Sequence, residues 1–157
     1  MHNAHQEEHP RRECPRVKMI LIVEDDPGIG QYLSLAISHE TPYQSLLVTD
    51  SVRALEVVKH IRPNLFLLDY RLRCLNGVEL YDQLHLTEGL ETIPAIIMSA
   101  SLPHEKLENE IKQRQLVALP NPHDLDDLHQ TIEQVFASSL QEAVTDRGGD
   151  SDAPSHH

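Results

Sequence analysis

Residues 19–27 read Met19-Ile20-Leu21-Ile22-Val23-Glu24-Asp25-Asp26-Pro27, and this stretch decides the fold. Five apolar residues run without a polar break, which is the pattern of a strand covered on both faces in a parallel sheet. The run stops abruptly at three acids. Asp26 before Pro27 is a helix start, with a capping carboxylate followed by proline at the first helical position. Ile29, Tyr32, Leu33, Ala36 and Ile37 then recur at helical spacing. The segment is therefore a strand, an acidic turn and a helix.

Outward from this segment the same unit repeats. Further apolar runs are Leu46–Val48, Leu65–Leu68, Ala95–Met98 and Leu116–Leu119. Their short length and the Pro, Asp or Asn around them favour strands over fragments of buried helix. Ser51–Ile61 and Pro103–Arg114 fill two of the helical slots between them. Asn76-Gly77-Val78-Glu79 is a capping-box variant that opens a helix with Leu80 and Leu84 inward. Asp124 caps a last helix whose stripe is Leu125, Leu128, Ile132, Val135 and Phe136. Five strands alternating with five helices predict an α/β protein with a doubly wound five-stranded parallel sheet. Right-handed crossovers then place helices on both faces.

The composition narrows the class. The chain has 157 residues, enough for one domain with short tails. Against 13 Lys and Arg stand 25 Asp and Glu, a net charge of −12. That sign argues against a nucleic-acid or anionic-membrane surface, and six aromatics with no Trp leave little for base stacking. No apolar run approaches the length of a membrane span, the first residues do not form a secretory signal, and two Cys cannot build a disulfide framework. A cytoplasmic protein is expected. Residues 1–16 and 138–157 lack apolar periodicity and read as a disordered arm and tail around a domain at 17–137. His2, His5, His9 and Cys14 lie close together in that arm, but no apolar neighbours would hold them as a structural metal site.

In such a sheet the ligand crevice lies beyond the carboxyl ends of the strands. The first run delivers Glu24, Asp25 and Asp26 there, the third Asp69, the fourth Ser99, and the fifth Asn121 before Pro122. Asp26 is assigned to its helix cap. Carboxylates brought together without a cation raise one another's pKa. An all-oxygen cluster of this kind suits Mg²⁺.

Taken together, Val23-Glu24-Asp25-Asp26-Pro27, Leu67-Leu68-Asp69, and Ser99-Ala100 thirty residues later resemble the receiver domain of bacterial response regulators. The resemblance covers about residues 18–137 and implies a flavodoxin-like sheet of order 2-1-3-4-5. It implies that Asp69 accepts a phosphoryl group from a phosphohistidine on a sensor histidine kinase or histidine phosphotransfer protein. Glu24, Asp25 and Asp69 would hold Mg²⁺, with the backbone carbonyl of Arg71 as a further ligand. The Ser99 hydroxyl would hydrogen-bond the phosphoryl oxygens. A carboxylate nucleophile of this kind forms an acyl phosphate, and the domain assists its own modification without being a conventional enzyme.

Two positions depart from the family pattern. Asn121 stands where Lys is usual, and Ala118 where an aromatic switch residue is usual. Asn121 can donate only a neutral hydrogen bond, and a methyl has no rotamer to switch. Arg71 or Arg73 offers a replacement charge, although solvated loop arginines are the plainer reading. Asn121–Pro122 is a candidate cis bond, as the matching family bond usually is; from sequence alone about one X–Pro bond in twenty is cis.

The resulting expectation is a stand-alone receiver that signals through a protein partner or by passing phosphate onward. The alternative is a degenerate receiver that binds partners without phosphorylation. An Asp-based phosphatase would want a second Asp two residues after Asp69, where Arg71 stands. A flavin site would want a phosphate-cradling loop where Glu24-Asp25-Asp26 stands.

Overall fold

The computed structural model describes residues 17–99, 105–120 and 124–139. The strands are β1 (Met19–Val23), β2 (Gln44–Val48), β3 (Leu65–Asp69), β4 (Ala95–Met98) and β5 (Val117–Leu119). Between them lie α1 (Pro27–Glu40), α2 (Ser51–Val57), α3 (Gly77–Leu86) and α4 (Glu105–Arg114). A fifth helix, α5, covers residues 125–139. All strand pairs are parallel, and the order is β2-β1-β3-β4-β5. The chain therefore has the doubly wound architecture expected from its alternating runs.

Two cores flank the sheet because successive strand residues point to opposite faces. Leu21, Val23, Phe66, Leu68 and Ile97 face one side and pack with Val78, Leu80, Leu84 and Leu107 from α3 and α4. Ile20, Ile22, Leu65, Leu67, Ile96 and Met98 face the other and meet Leu33 and Ile37 of α1 and Leu128, Ile132 and Val135 of α5. The caps follow the sequence. The Asp26 carboxylate accepts from the N–H groups of Gly28 and Ile29. Asn76 and Glu79 form a complete reciprocal box. Asp124 accepts from the N–H groups of Asp126 and Asp127.

Continuous apolar runs do not mean burial on both faces at the sheet edges. The central strands β1, β3 and β4 are buried nearly throughout, whereas β2 is half-buried and Val117 and Ala118 of β5 are exposed. Each edge strand has a neighbour on one side only. Boundaries also shift. β2 begins at Gln44, two polar residues before its apolar run, because backbone pairing with β1 holds Gln44 and Ser45 in register. β5 begins at Val117 rather than Leu116. The second helix ends at Val57 instead of Ile61, its chain leaving through short-range turns at Lys59 and His60. Tyr32, on the expected inner stripe of α1, is exposed.

Candidate functional site

β1 and β3 are neighbours, so their last residues open onto one crevice. Glu24 follows β1, held by its N–H donating to the Val48 carbonyl at 3.1 Å. Asp69 is the last residue of β3 and lies in register with Met98 of β4. Carboxylate oxygens of Glu24, Asp25 and Asp69 come within 4.8 Å of one another. These three expected site residues are therefore gathered at one point. Asp26, by contrast, is spent on its helix cap.

The crevice is electrostatically tense. Burial pushes the Glu24 carboxyl up to about 7, against a favourable hydrogen bond from the Asp26 N–H. The neighbouring Asp69 and Asp25 charges add to the rise. Burial also raises Asp69, opposed by its hydrogen bond with Glu24 and by the Arg71 N–H, which donates to Asp69 Oδ1 at 3.4 Å. Burial and crowding thus disfavour full ionisation of Glu24 and Asp69 together. Crowded carboxylates behave in this way when no cation offsets them. The oxygen-only donor set and the excess negative charge fit a hard divalent ion such as Mg²⁺.

The other expected residues fall into place unevenly. Ser99 follows β4, buried, with its N–H donating to the Leu119 carbonyl at 3.2 Å. That places it one residue beyond the partner of Asp69. Ala118 lies on the edge strand, exposed. Asn121 and the Asn121–Pro122 bond lie outside the described residues.

The loop after β3 is built with care. The Tyr70 N–H donates to Met98 O at 2.8 Å, and the Gly77 N–H to Tyr70 O at 3.0 Å. A Cβ on Gly77 would lie 2.6 Å from the Asp69 carbonyl oxygen, so only glycine lets α3 begin against the end of β3. Ser51, fully buried, donates to the Arg73 carbonyl at 3.0 Å and accepts from the Leu75 N–H at 3.3 Å. Cys74 adopts φ 70, a left-handed conformation uncommon for residues other than Gly, Asn and Asp. Sequence reasoning assigned Ser51 only to the start of a helix, because its partners are more than twenty residues away. Arg73 is a solvated loop residue, as the plain reading has it, and it carries a contact the sequence does not record. Its side chain is 78% exposed, yet Nε stands 3.5 Å from Asp25 Oδ2.

Comparison with known proteins identifies the fold and the family. Among solved structures, a CheY-like response regulator receiver domain protein from Methanospirillum hungatei superposes with a TM-score of 0.72 at 20% identity, covering 81% of this chain and 99% of that one. The chemotaxis protein CheY4 of Vibrio cholerae gives 0.70 at 20% identity, over 76% and 99% of the two chains. These likenesses establish the fold. In sequence, the sporulation initiation phosphotransferase F of Bacillus subtilis is 28% identical over 115 residues, 73% of this chain and 90% of that protein. The DNA-binding response regulator MtrA of Mycolicibacterium smegmatis is 31% identical over 81 residues, which span 52% of this chain but 34% of MtrA. Residues 20–133 match the response regulator receiver domain family. The chain belongs to that family, whose setting is two-component signalling. Among the described residues, no helix is long and apolar enough to cross a membrane.

Proposed function

We propose that this protein is a phosphoacceptor of a phosphorelay, acting in the cytoplasm. Asp69 takes a phosphoryl group from a phosphohistidine on a kinase or phosphotransfer protein. The signal then passes through a protein partner or by onward transfer. The observation that carries this reading is the convergence of Glu24, Asp25 and Asp69 at the ends of two neighbouring strands. Similarity over 90% of a protein named as a phosphotransferase supports the relay role.

The residues divide the work. The Asp69 carboxylate oxygen attacks phosphorus, and the bond from phosphorus to the histidine nitrogen breaks, leaving an acyl phosphate. Glu24, Asp25, Asp69 and the Arg71 carbonyl would hold Mg²⁺, which offsets phosphoryl charge during transfer. Metal binding needs Glu24 ionised, which burial and its acidic neighbours oppose. The Arg71 N–H orients the nucleophile from the backbone. Ser99 contributes a hydroxyl toward the phosphoryl oxygens, while Asn121 supplies at most a neutral hydrogen bond. The domain promotes its own modification and is not a turnover enzyme.

The exposed methyl of Ala118 favours a second reading, a receiver that binds partners without phosphorylation. Intact mass after incubation with Mg²⁺ and acetyl phosphate separates the two. One phosphoryl mass on the wild type, absent from Asp69→Asn, supports the phosphoacceptor. Labelling of Asn121→Lys alone, with the wild type unmodified, supports the binding module.

A further inference from the structure

Arg73 reaches the acidic crevice from a loop that has little freedom. Its carbonyl is clasped by buried Ser51, the Leu75 N–H also turns back onto it at 2.8 Å, and Cys74 follows in the left-handed region. The backbone is fixed while the side chain stays largely in solvent. Its guanidinium Nε lies against Asp25, one of the three clustered carboxylates, at 3.5 Å. A cation held on a prospective metal ligand must compete with the metal for it. Once displaced, that cation remains tethered beside the carboxylate that accepts the phosphoryl group. At the position after β5 where the resemblance implies a cation, residue 121 is a neutral Asn.

We infer that Arg73 is a positioning residue that occupies Asp25 in the metal-free protein and turns to the phosphoryl oxygens when Mg²⁺ takes that carboxylate. This rests on the proposed function, because it needs Asp69 as acceptor. Arginine suits the task, being always charged and able to contact two phosphoryl oxygens at once. The inference predicts two effects of opposite sign. Removing the guanidinium frees Asp25 and tightens Mg²⁺ binding. It also removes a charge facing the transition state and slows transfer. A residue that merely stabilised the loop would weaken both.

The test uses the full chain with wild type, Arg73→Ala and Arg73→Lys, and Arg53→Ala as the control. Arg53 lines the same surface groove as Asp25 and Arg73 and carries a charge of the same sign. Mg²⁺ affinity is measured by calorimetry, and labelling by acetyl phosphate is followed at saturating Mg²⁺. Arg73→Ala should bind Mg²⁺ about two- to fivefold more tightly, the range of an exposed ion pair. Its maximal labelling rate should fall by at least that factor. Arg73→Lys should lie between Arg73→Ala and wild type, and Arg53→Ala should move neither quantity by half as much. Unchanged or weaker Mg²⁺ binding in Arg73→Ala overturns the competition, and an unchanged rate overturns the transfer role. Equal effects in Arg53→Ala would reduce both to a general field and overturn the inference. A wild type that is never labelled defeats the proposed function and the transfer role together. The metal measurement then still judges the competition on its own.

Discussion

Glu24 is the residue through which pH reaches the site. Its folded value of about 7 stands above the ordinary 4.5, so between those values the metal-free folded protein keeps a proton that the unfolded chain has lost. Stability of the metal-free form therefore falls as pH rises from about 4.5 through 7. Urea midpoints in a chelator should be higher at pH 5 than at pH 8, and Glu24→Gln should flatten the difference. With Mg²⁺ the sign reverses. The ligands must be deprotonated to bind metal, so affinity should drop as pH falls below about 7, by up to tenfold per unit. Calorimetry at pH 8 and pH 6 checks this. Ser51 offers a second prediction at this scale. Ser51→Ala removes the buried hydroxyl that bonds both the Arg73 carbonyl and the Leu75 N–H, leaving them only their bond to each other, and should cost about 1 kcal/mol in denaturant unfolding. The acids of the site were legible because each ends an apolar run. Ser51 and the Asp25–Arg73 pair were not, because their partners are set by how α2 and the loop after β3 fold together, which no local pattern records.

Among the elements, α3 couples most directly to chemistry. Its first residue, Gly77, lies against the carbonyl of Asp69, the proposed phosphoacceptor. Gly77→Ala should push α3 away from β3, lowering stability and slowing acetyl phosphate labelling together, whereas Asn76→Ala should lose only a cap, about 1 kcal/mol, with labelling intact. Thermal melts beside labelling rates separate the two. The other end of the same region is fixed independently. Arg114 of α4 grips Asp82 of α3 through two bonds, at 2.8 and 2.9 Å. Element order was fully readable from alternating runs and caps, since periodicity and capping are local. Exposure at β2 and β5 was not, because an edge position depends on which strands become neighbours.

Across the molecule, the cores formed by the described residues lie well inside the sequence. The two cores close on residues between Ile20 and Phe136, and the flanking sequences lack apolar periodicity. A chain trimmed to residues 17–138 should melt within a few degrees of the full chain. Ionic strength acts on a larger scale. Three carboxylates at one pole of a chain with net charge −12 repel a small anionic phosphodonor before it arrives. Between about 0.01 and 0.1 M salt the Debye length shrinks from about 30 to 10 Å. At saturating Mg²⁺, acetyl phosphate labelling should therefore quicken across that range. Transfer from a protein that docks through a basic face should slow instead, because screening weakens its long-range attraction. The salt dependence of the rate thus reports the charge of whatever delivers the phosphoryl group, even before that molecule has been isolated.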